Sequence, residues 1–393
     1  MDLVVLIVVS SEDDGGAARS AFLLARELPA SGVLARVVVH REGRLTARLA
    51  DAGLPYDILP TLVEHPLRRQ SDGSQTWKAL RSNVPGLARA AGQLRSLARK
   101  YGATVLYGQG TWANYQAALA GSRSRAMAVW HIRDDHTAWL TRRVSRSLAR
   151  LASVGAIIAV SESAARPYRG LPNTIAVVHN GVDLALCDRA RQRPLLRERL
   201  GLGPAAVVAG YAGRLVPHKG IDCLMQAARI ALSRAAADLH VVILGGNPRR
   251  LRTDVLAELR GRAAAWGLAD RIHLPGHVED VERWMADLDI LVVPSVFSDP
   301  CPRAVLEGLA LGLPIIASRT GGIPEIVRDG TDAVLVSPGD AVELAGAVLG
   351  LAGNPDRRRA MATAAVEAAR ARFDATDVAR RIAAVLRGLP RIV

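Results

Sequence analysis

The sequence predicts an α/β protein of two doubly wound domains, each built on a parallel sheet with helices on both faces. The chain has 393 residues, half of them hydrophobic, which is too long for one ordinary core and fits two domains. Short apolar runs rich in Val and Ile alternate with helical stretches, and such runs are typical of strands buried on both faces. This alternation stops near residue 185 and starts again near residue 206.

The N-terminal domain, predicted over residues 1–185, contains six such runs and four helical stretches. The predicted strands are Leu3–Val9, Ala35–Val39, Ala103–Tyr107, Ala126–Trp130, Gly155–Val160 and Ile175–Val178. The predicted helices are Ala17–Ala30, Val84–Lys100, Trp112–Ala120 and Thr137–Ala152. Residues 60–83 form a long stretch without periodicity, which predicts an irregular loop.

Residues 186–205 carry charge, Pro and Gly without strand character, and they predict a linker. The second domain is predicted over residues 206–372, and a C-terminal helix over 373–393. Its predicted strands are Ala206–Tyr211, Leu239–Leu244, Ile272–Leu274, Ile290–Val293, Pro314–Ala317 and Ala333–Val336. In such sheets ligands bind at the carboxyl ends of the strands.

The net charge is +14, and residues 1–185 carry +9 of it. This excess favours an anionic partner for the N-terminal half, such as an acidic lipid surface or a lipid diphosphate. On one predicted helix, Arg142, Arg143, Arg146 and Arg150 form a basic stripe, for which anionic lipid and plain solvation are both adequate explanations. No nucleic-acid partner is expected.

Three widely spaced cysteines show no metal-binding spacing and are expected to be reduced thiols. The N-terminus has Asp2 where a signal peptide would be basic, and its apolar run stops at Val9. No run reaches the ~20 apolar residues of a membrane span. We therefore expect a cytoplasmic protein that is at most peripheral on the inner face of the membrane.

The segment 294–339 carries the strongest chemical signal. Asp299 follows a predicted strand, Pro302 stands where a helix would begin, and Glu307 lies eight residues after Asp299. A helix N-terminus presents free N–H groups to an anion, and a carboxylate one to two turns later can accept sugar hydroxyls. Gly321 and Gly322 then predict a tight turn that can approach a ligand closely.

A second segment, residues 210–220, lies between a predicted strand and a predicted helix. Arg214 and Lys219 bracket its proline-containing turn. Arginine suits bidentate phosphate contact and lysine supplies a point charge, so the pair is typical of a diphosphate site. The ending of a Walker phosphate loop is missing.

Read in order, these segments resemble the retaining glycosyltransferases of family 4, which have the GT-B fold. Further matches are GGAARSAFLLARELPASG after the first strand, NGVD at 180–183, GHVEDVERWMADLDILVVPS at 276–295, and the final helix pair. The resemblance covers nearly the whole chain and is most specific over 206–340. It implies two Rossmann-like domains facing a central cleft, with the acceptor bound by the first, the donor by the second, and the last helix crossing back. It also implies that neither a metal nor a cofactor is required.

The resemblance assigns roles to residues of the second domain. Arg214 and Lys219 would hold the donor diphosphate and assist its departure, Glu307 would bind the ribose, and the backbone around His277 and Val278 would border the base. The remaining predicted donor-binding residues of this domain all precede Glu307 in the sequence: Asp299, Pro300, Cys301, Pro302, Arg303 and Ala304.

Two departures from the family pattern concern the loop before Glu307. The first acid of the paired-acid motif is usually Glu and is Asp299 here, one methylene shorter. The usual aromatic–glycine pair is replaced by Cys301 and Pro302, so Arg303 is a candidate for contact with sugar or phosphate. Asp299 is also the only candidate nucleophile for a double displacement.

In the first domain, the resemblance assigns His131 to the reacting sugar, and Gly15 and Gly16 to close approach of the first loop to diphosphate or acceptor. A structural histidine at a strand end is the alternative for His131. The GxGxxA pattern at 108–113 partly matches a dinucleotide-binding fingerprint, but a simple tight turn explains it. Asp287 and Asp289 match a metal-binding pair, although helix-end charges explain them better.

The predicted function is transfer of a sugar from a UDP-sugar, or next a GDP-sugar, to a hydroxyl of a saccharide, lipid-linked or small-molecule acceptor. Such reactions serve cell-envelope polysaccharide, glycolipid or natural-product biosynthesis. Three alternatives remain: a sugar-nucleotide 2-epimerase of the same fold, a phosphorylase relative, which would need a pyridoxal lysine, and a non-catalytic nucleotide-sugar-binding protein.

Overall fold

A computed structural model describes residues 3–9, 15–60, 75–135, 139–247 and 254–390. The chain divides into two compact units. Unit 1 comprises Met1–Gly181 together with Ala375–Val393, and unit 2 comprises Val182–Asp374. The predicted boundaries lay at residues 185 and 373.

Unit 1 is a seven-stranded parallel sheet with helices on both faces, as the alternating pattern predicts. Its strands are β1 Leu3–Val9, β2 Val33–Val39, β3 Tyr56–Ile58, β4 Val105–Gln109, β5 Met127–Ile132, β6 Val154–Ala159 and β7 Thr174–Val177. Its helices are α1 Gly16–Glu27, α2 Arg44–Asp51, α3 Gln75–Tyr101, α4 Thr111–Gly121, α5 Trp139–Ala149, α6 Glu162–Ala165 and, far along the chain, α15 Ala375–Arg387. The strand order is β3-β2-β1-β4-β5-β6-β7.

The prediction of an irregular loop over residues 60–83 is wrong at its C-terminal end. Helix α3 already begins at Gln75, ten residues before Pro85. A proline is most common in the first turn of a helix, yet this helix continues through Pro85, which has no N–H to donate. Residues 61–74 lie outside the described part.

The last helix, α15, is part of the unit 1 core. Its apolar side Val378, Ile382 and Leu386 is buried in one cluster with strands β1, β2 and β4. The Thr376 hydroxyl donates to Glu27 Oε2 at 2.9 Å. Residues more than 350 positions apart in sequence therefore complete one core.

Unit 2 repeats the architecture with six parallel strands in the order β10-β9-β8-β11-β12-β13. The strands are β8 Val207–Ala212, β9 Leu239–Leu244, β10 Ile272–Gly276, β11 Ile290–Val293, β12 Ile315–Ser318 and β13 Ala333–Val336. The helices are α7 Leu196–Leu200, α8 Ile221–Leu232, α9 Val255–Ala265, α10 Val281–Met285, α11 Arg303–Ala310, α12 Ile323–Ile326, α13 Ala341–Ala352 and α14 Pro355–Arg372.

The segment predicted as a linker is part of unit 2, and its helix α7 is packed against the rest of that unit. Arg197 Nη2, at the start of α7, lies 2.7 Å from Asp289 Oδ2. Its backbone N–H donates to Asp287 Oδ2 at 3.1 Å. These two aspartates therefore serve as anchors for α7, which agrees with the helix-end interpretation of their charges.

Both sheets reverse their strand order at one point, between β1 and β4 in unit 1 and between β8 and β11 in unit 2. In open α/β sheets, ligands bind outside the carboxyl ends of the strands at such a crossover. The loops after β8 and β11, and the carboxyl ends of β1 and β4, are therefore the places where function is expected.

Candidate functional site

In unit 2, the loops after β8 and β11 are packed against each other at the crossover. The Val296 backbone N–H donates to the His218 carbonyl at 3.1 Å. Gly220 has φ +73°, and a Cβ there would lie 1.8 Å from the Pro294 carbonyl oxygen. Only glycine fits this contact, which holds the predicted cationic loop beside the predicted acidic loop.

The Lys219 ammonium forms an ion pair with Asp299 Oδ2 across these two loops. The side chains are 19% and 12% exposed, so the pair is shielded from most of the solvent yet still reachable. The Ser295 hydroxyl donates to the same carboxylate oxygen at 3.2 Å. Two residues that are 80 positions apart in sequence are thus brought into direct contact.

The Gly321–Gly322 turn contacts the backbone of Asp299. Gly321 has φ +58°, and a Cβ there would lie 2.4 Å from the Asp299 carbonyl oxygen. The Gly322 N–H donates to that same oxygen at 3.0 Å. In this structure the turn approaches the backbone of Asp299, and so fixes the loop that carries the carboxylate.

Glu307 lies in the second turn of α11 and is 5% exposed. Arg303 Nε donates to Glu307 Oε1 at 3.2 Å, one helical turn earlier. Burial, followed by the charge of Glu307, raises the pKa of the Cys187 thiol. The site therefore contains a second shielded cation–carboxylate pair beside a neutral thiol.

Arg214 is exposed in the loop after β8. Its backbone carbonyl accepts a hydrogen bond from the buried Tyr211 hydroxyl at 2.8 Å. Burial, followed by the charge of Asp299, raises the pKa of Tyr211, so the phenol stays protonated. Tyr211 thereby holds the backbone of the loop after β8 in place, while the residue that carries the charge, Arg214, is exposed.

The other predicted donor-binding residues lie at the same carboxyl edge. His277 and Val278 follow β10, two strands away from β8. A Cβ added at Gly246, after β9, would lie 3.0 Å from His277 Cβ. Pro302 is the N-cap of α11 instead of its first residue, and Cys301 before it is buried. Pro300 and Ala304 flank this start and are partly exposed.

In unit 1, Gly15 is the N-cap of α1 and Gly16 its first residue. Arg133, just beyond β5, donates to the Gly16 carbonyl at 3.2 Å and to Ser20 Oγ at 2.8 Å. This arginine, which the sequence did not single out, ties the first turn of α1 to the strand that carries His131.

His131 is the fifth residue of β5 and is 2% exposed. Its Nδ1 lies 2.9 Å from the Tyr107 hydroxyl, and its backbone exchanges hydrogen bonds of 3.2 and 3.3 Å with the Asn114 amide. Burial, followed by the charge of Arg133, holds the pKa of His131 well below its usual range, so the ring is neutral. The imidazole is thus rigidly placed and uncharged.

The predicted site residues therefore fall into two groups, one in each unit. Unit 2 brings together Lys219 with Asp299 and Arg303 with Glu307, while unit 1 places His131 near Gly16 through Arg133. Within the described ranges, no three His, Cys, Asp or Glu side chains are arranged to hold a metal ion. No helix in these ranges is both long enough and apolar enough to span a bilayer.

Two family models match the chain, one on each half. The model described as Glycosyltransferase Family 4 matches residues 14–186, and the model described as Glycosyl transferases group 1 matches residues 206–354. Together they cover well over half of the sequence in the expected order.

Curated relatives are D-inositol 3-phosphate glycosyltransferases of actinobacteria. The protein of Streptomyces scabiei is 33% identical over 205 residues, which are 51% of this chain and 46% of the relative. The protein of Mycolicibacterium gilvum is 37% identical over 169 residues, which are 42% of this chain and 36% of the relative. The matched part thus spans about half the length of these relatives, or less.

Solved structures match the whole architecture at low identity. Anabaena HepE, determined in complex with UDP-glucose, has a TM-score of 0.80 at 23% identity, covering 98% of this chain and 100% of its own. A glycosyltransferase from Rickettsia africae has a TM-score of 0.81 at 17% identity, covering 98% of both chains. These matches show that the two Rossmann-like domains are those of the GT-B fold.

Proposed function

Because the chain belongs to glycosyltransferase family 4, we propose that it transfers a sugar from a nucleoside-diphosphate sugar to an acceptor hydroxyl with retention of configuration. A UDP-sugar is the first choice of donor and a GDP-sugar the second. The observation that carries the proposal is the Lys219–Asp299 pair at the crossover of the unit 2 sheet. It places a cation for a diphosphate next to a carboxylate for sugar hydroxyls.

The chemistry follows from the charges of this loop pair. As the bond from the anomeric carbon to the diphosphate breaks, negative charge develops on the leaving oxygen. Lys219 and Arg214 balance that charge without a metal, and preorganised charges of this kind lower the barrier most. The acceptor oxygen bonds to the same face of the anomeric carbon, and its proton passes to the leaving phosphate.

Asp299 is assigned to sugar binding and not to nucleophilic attack. Its Oδ2 already contacts both the Lys219 ammonium and the Ser295 hydroxyl. These two contacts hold the carboxylate in place and occupy lone pairs of its Oδ2. A carboxylate held this way suits a stable hydrogen bond to a hydroxyl better than a covalent intermediate.

The donor is identified by saturation-transfer NMR with UDP-, GDP-, ADP- and dTDP-sugars in the presence of EDTA. Selective binding of one donor under these conditions supports the proposal and its independence from metal. Failure of every donor to bind contradicts it. A donor that binds and is converted to its C2 epimer without acceptor would indicate the epimerase alternative, and binding without turnover a non-catalytic protein.

The acceptor is a saccharide, a lipid-linked sugar or a small molecule. Since the relatives are named for D-inositol 3-phosphate, that compound is the first acceptor to test. Transfer is measured as acceptor-dependent release of the nucleoside diphosphate, followed by mass spectrometry of the product.

Replacement of Glu307 by alanine is expected to lower turnover at subsaturating donor at least about tenfold, ~1.4 kcal/mol in transition-state terms. The physical reason is the loss of the carboxylate assigned to the ribose hydroxyls, which also leaves Arg303 without its 3.2 Å contact. Glu282→Ala is the matched control, because Glu282 is another buried glutamate of unit 2, at 6% exposure. Equal losses of donor binding in the two variants would contradict the ribose assignment.

We further propose that helix α5 contacts anionic lipid. Trp139 is 62% exposed at its start, with the Arg143 guanidinium 5.8 Å from the ring centre. Arg142 and Arg143 are exposed on the helix and Arg150 is exposed directly after its last residue, while Arg146 donates to the Arg169 carbonyl. An exposed tryptophan beside a row of arginines is typical of a surface that meets a membrane interface.

Sedimentation with vesicles containing phosphatidylglycerol tests this contact. We expect wild-type protein to bind at low salt, and the triple variant Arg142→Gln, Arg143→Gln and Arg150→Gln to bind at least about tenfold more weakly. Each residue near an anionic surface contributes about 1 kcal/mol, and about 1.4 kcal/mol already corresponds to a tenfold change. The control removes three exposed arginines elsewhere, through Arg89→Gln, Arg99→Gln and Arg357→Gln. Equal loss in both triple variants would show only a net-charge effect.

A further inference from the structure

Gln109 is a buried polar side chain for which the protein supplies no partner. It ends strand β4, is 1% exposed, and neither its Oε1 nor its Nε2 forms a hydrogen bond with any residue of the described ranges. A buried polar group left unpaired destabilises the protein, and such groups are rare in native structures. Its position at the crossover between β1 and β4 is where ligands bind in sheets of this kind.

His131 lies next to Gln109 and also has a buried polar atom without a hydrogen-bond partner in the described part of the chain. The two residues are directly paired in the β4–β5 register. Tyr107 and Val129, two residues earlier on each strand, belong to the same core cluster, so alternation places Gln109 and His131 on one face. His131 Nε2 is likewise buried and has no hydrogen-bond partner in the described part of the chain.

The ring of His131 has one hydrogen-bond contact within the described ranges. The Tyr107 hydroxyl lies 2.9 Å from His131 Nδ1, and which of the two atoms donates depends on the tautomer of the ring. The unpaired groups are therefore the Gln109 amide nitrogen, which donates, Gln109 Oε1, which accepts, and His131 Nε2, which donates in one tautomer and accepts in the other.

We propose that Gln109 is a further substrate-binding residue that, together with His131, binds hydroxyl groups of a sugar or cyclitol ring. The set of unpaired groups is uncharged and contains both donors and an acceptor, which suits hydroxyls, since each hydroxyl donates once and accepts. An anion would require donors alone. This inference rests on the proposed function and extends it to unit 1.

Gln116 shows what a structural glutamine looks like in the same unit. It is also fully buried, in the interior of helix α4, and its Nε2 lies 3.2 Å from His40 Nε2, while its Oε1 has no partner among the described residues. It provides a matched control with the same side chain and the same burial, in which one of the two polar atoms is held by the protein, whereas in Gln109 neither is held by a described residue.

The experiment compares Gln109→Leu with Gln116→Leu by calorimetric titration and thermal unfolding. The probes are UDP, UDP-glucose, and D-inositol 3-phosphate in the presence of UDP. We expect Gln109→Leu to bind UDP like the wild type, to lose at least about tenfold in affinity for one of the other two probes, and to unfold at the wild-type temperature or above. Gln116→Leu should unfold at a lower temperature and keep its affinities.

The affected probe identifies the source of the hydroxyls. A loss confined to UDP-glucose assigns Gln109 to the donor hexose, and a loss confined to D-inositol 3-phosphate assigns it to the acceptor. Unchanged affinity of Gln109→Leu for every probe that the wild type binds overturns the inference. A wild-type protein that binds none of the UDP-, GDP-, ADP- and dTDP-sugars would instead contradict the proposed function itself.

Discussion

Replacement of Lys219 by alanine is expected to reduce turnover at least about tenfold, ~1.4 kcal/mol, and to affect it more than any other single substitution in unit 2. The change removes the cation assigned to the leaving diphosphate and also leaves the Asp299 carboxylate, 12% exposed, without its ion pair. The measurement is steady-state release of nucleoside diphosphate with the donor selected by NMR. The loss should appear mainly in kcat, because charge on the leaving group develops in the transition state.

The control for this variant is Arg197→Ala. Arg197 and Asp289 form an ion pair of similar burial in the same unit, with side chains 22% and 24% exposed. That pair lies at the amino end of β11, away from the loops assigned to the donor. Arg197→Ala should lower thermal stability and keep kcat near the wild-type value. A variant of Lys219 that is as active as this control would refute the diphosphate assignment.

Replacement of Gly220 by alanine is expected to give the largest loss of stability of any single methyl addition in unit 2. The new Cβ would lie 1.8 Å from the Pro294 carbonyl oxygen, a backbone atom that cannot rotate away. The left-handed conformation at φ +73° adds about 1–2 kcal/mol of strain for any other residue. We expect a total above about 3 kcal/mol, within the range of severe core disruption.

Gly201→Ala separates the two contributions. Gly201 has φ +64°, close to that of Gly220, but a Cβ there would meet no atom within 4 Å. This variant should lose only the conformational part, about 1–2 kcal/mol. Chemical denaturation of both proteins gives the comparison, and similar losses would show that the contact between the loops can relax.

The strands were the most predictable feature, since parallel strands buried on both faces leave continuous apolar runs. Four strands were predicted with the observed bounds, namely Leu3–Val9, Leu239–Leu244, Ile290–Val293 and Ala333–Val336, and the other predicted runs differ by one or two residues at an end. The short β3 was missed because Tyr56–Ile58 contains only three residues and a central Asp. Helix α2 was missed for a related reason, as Arg44–Asp51 is mostly polar and exposes one side.

The candidate site could be predicted residue by residue but not contact by contact. The sequence indicated Lys219 and Asp299 separately, through loop position and residue type. Their ion pair depends on two glycine contacts, at Gly220 and Gly321, that appear only once the strand order is known. From the sequence, Gln109 was only part of the GxGxxA pattern that we interpreted as a tight turn. That its polar atoms lack hydrogen-bond partners among the described residues can be recognised only in the structure.

The position of helix α15 has a consequence for how the protein is made. Residues 1–181 leave the ribosome long before Ala375–Arg387, yet this helix supplies part of the core against α1 and β1. Unit 2 can complete its core from its own residues, whereas the apolar face of unit 1 stays open until α15 has been synthesised. Unit 1 is therefore synthesised first but completes its core last, and it is the unit to which we expect chaperones to bind.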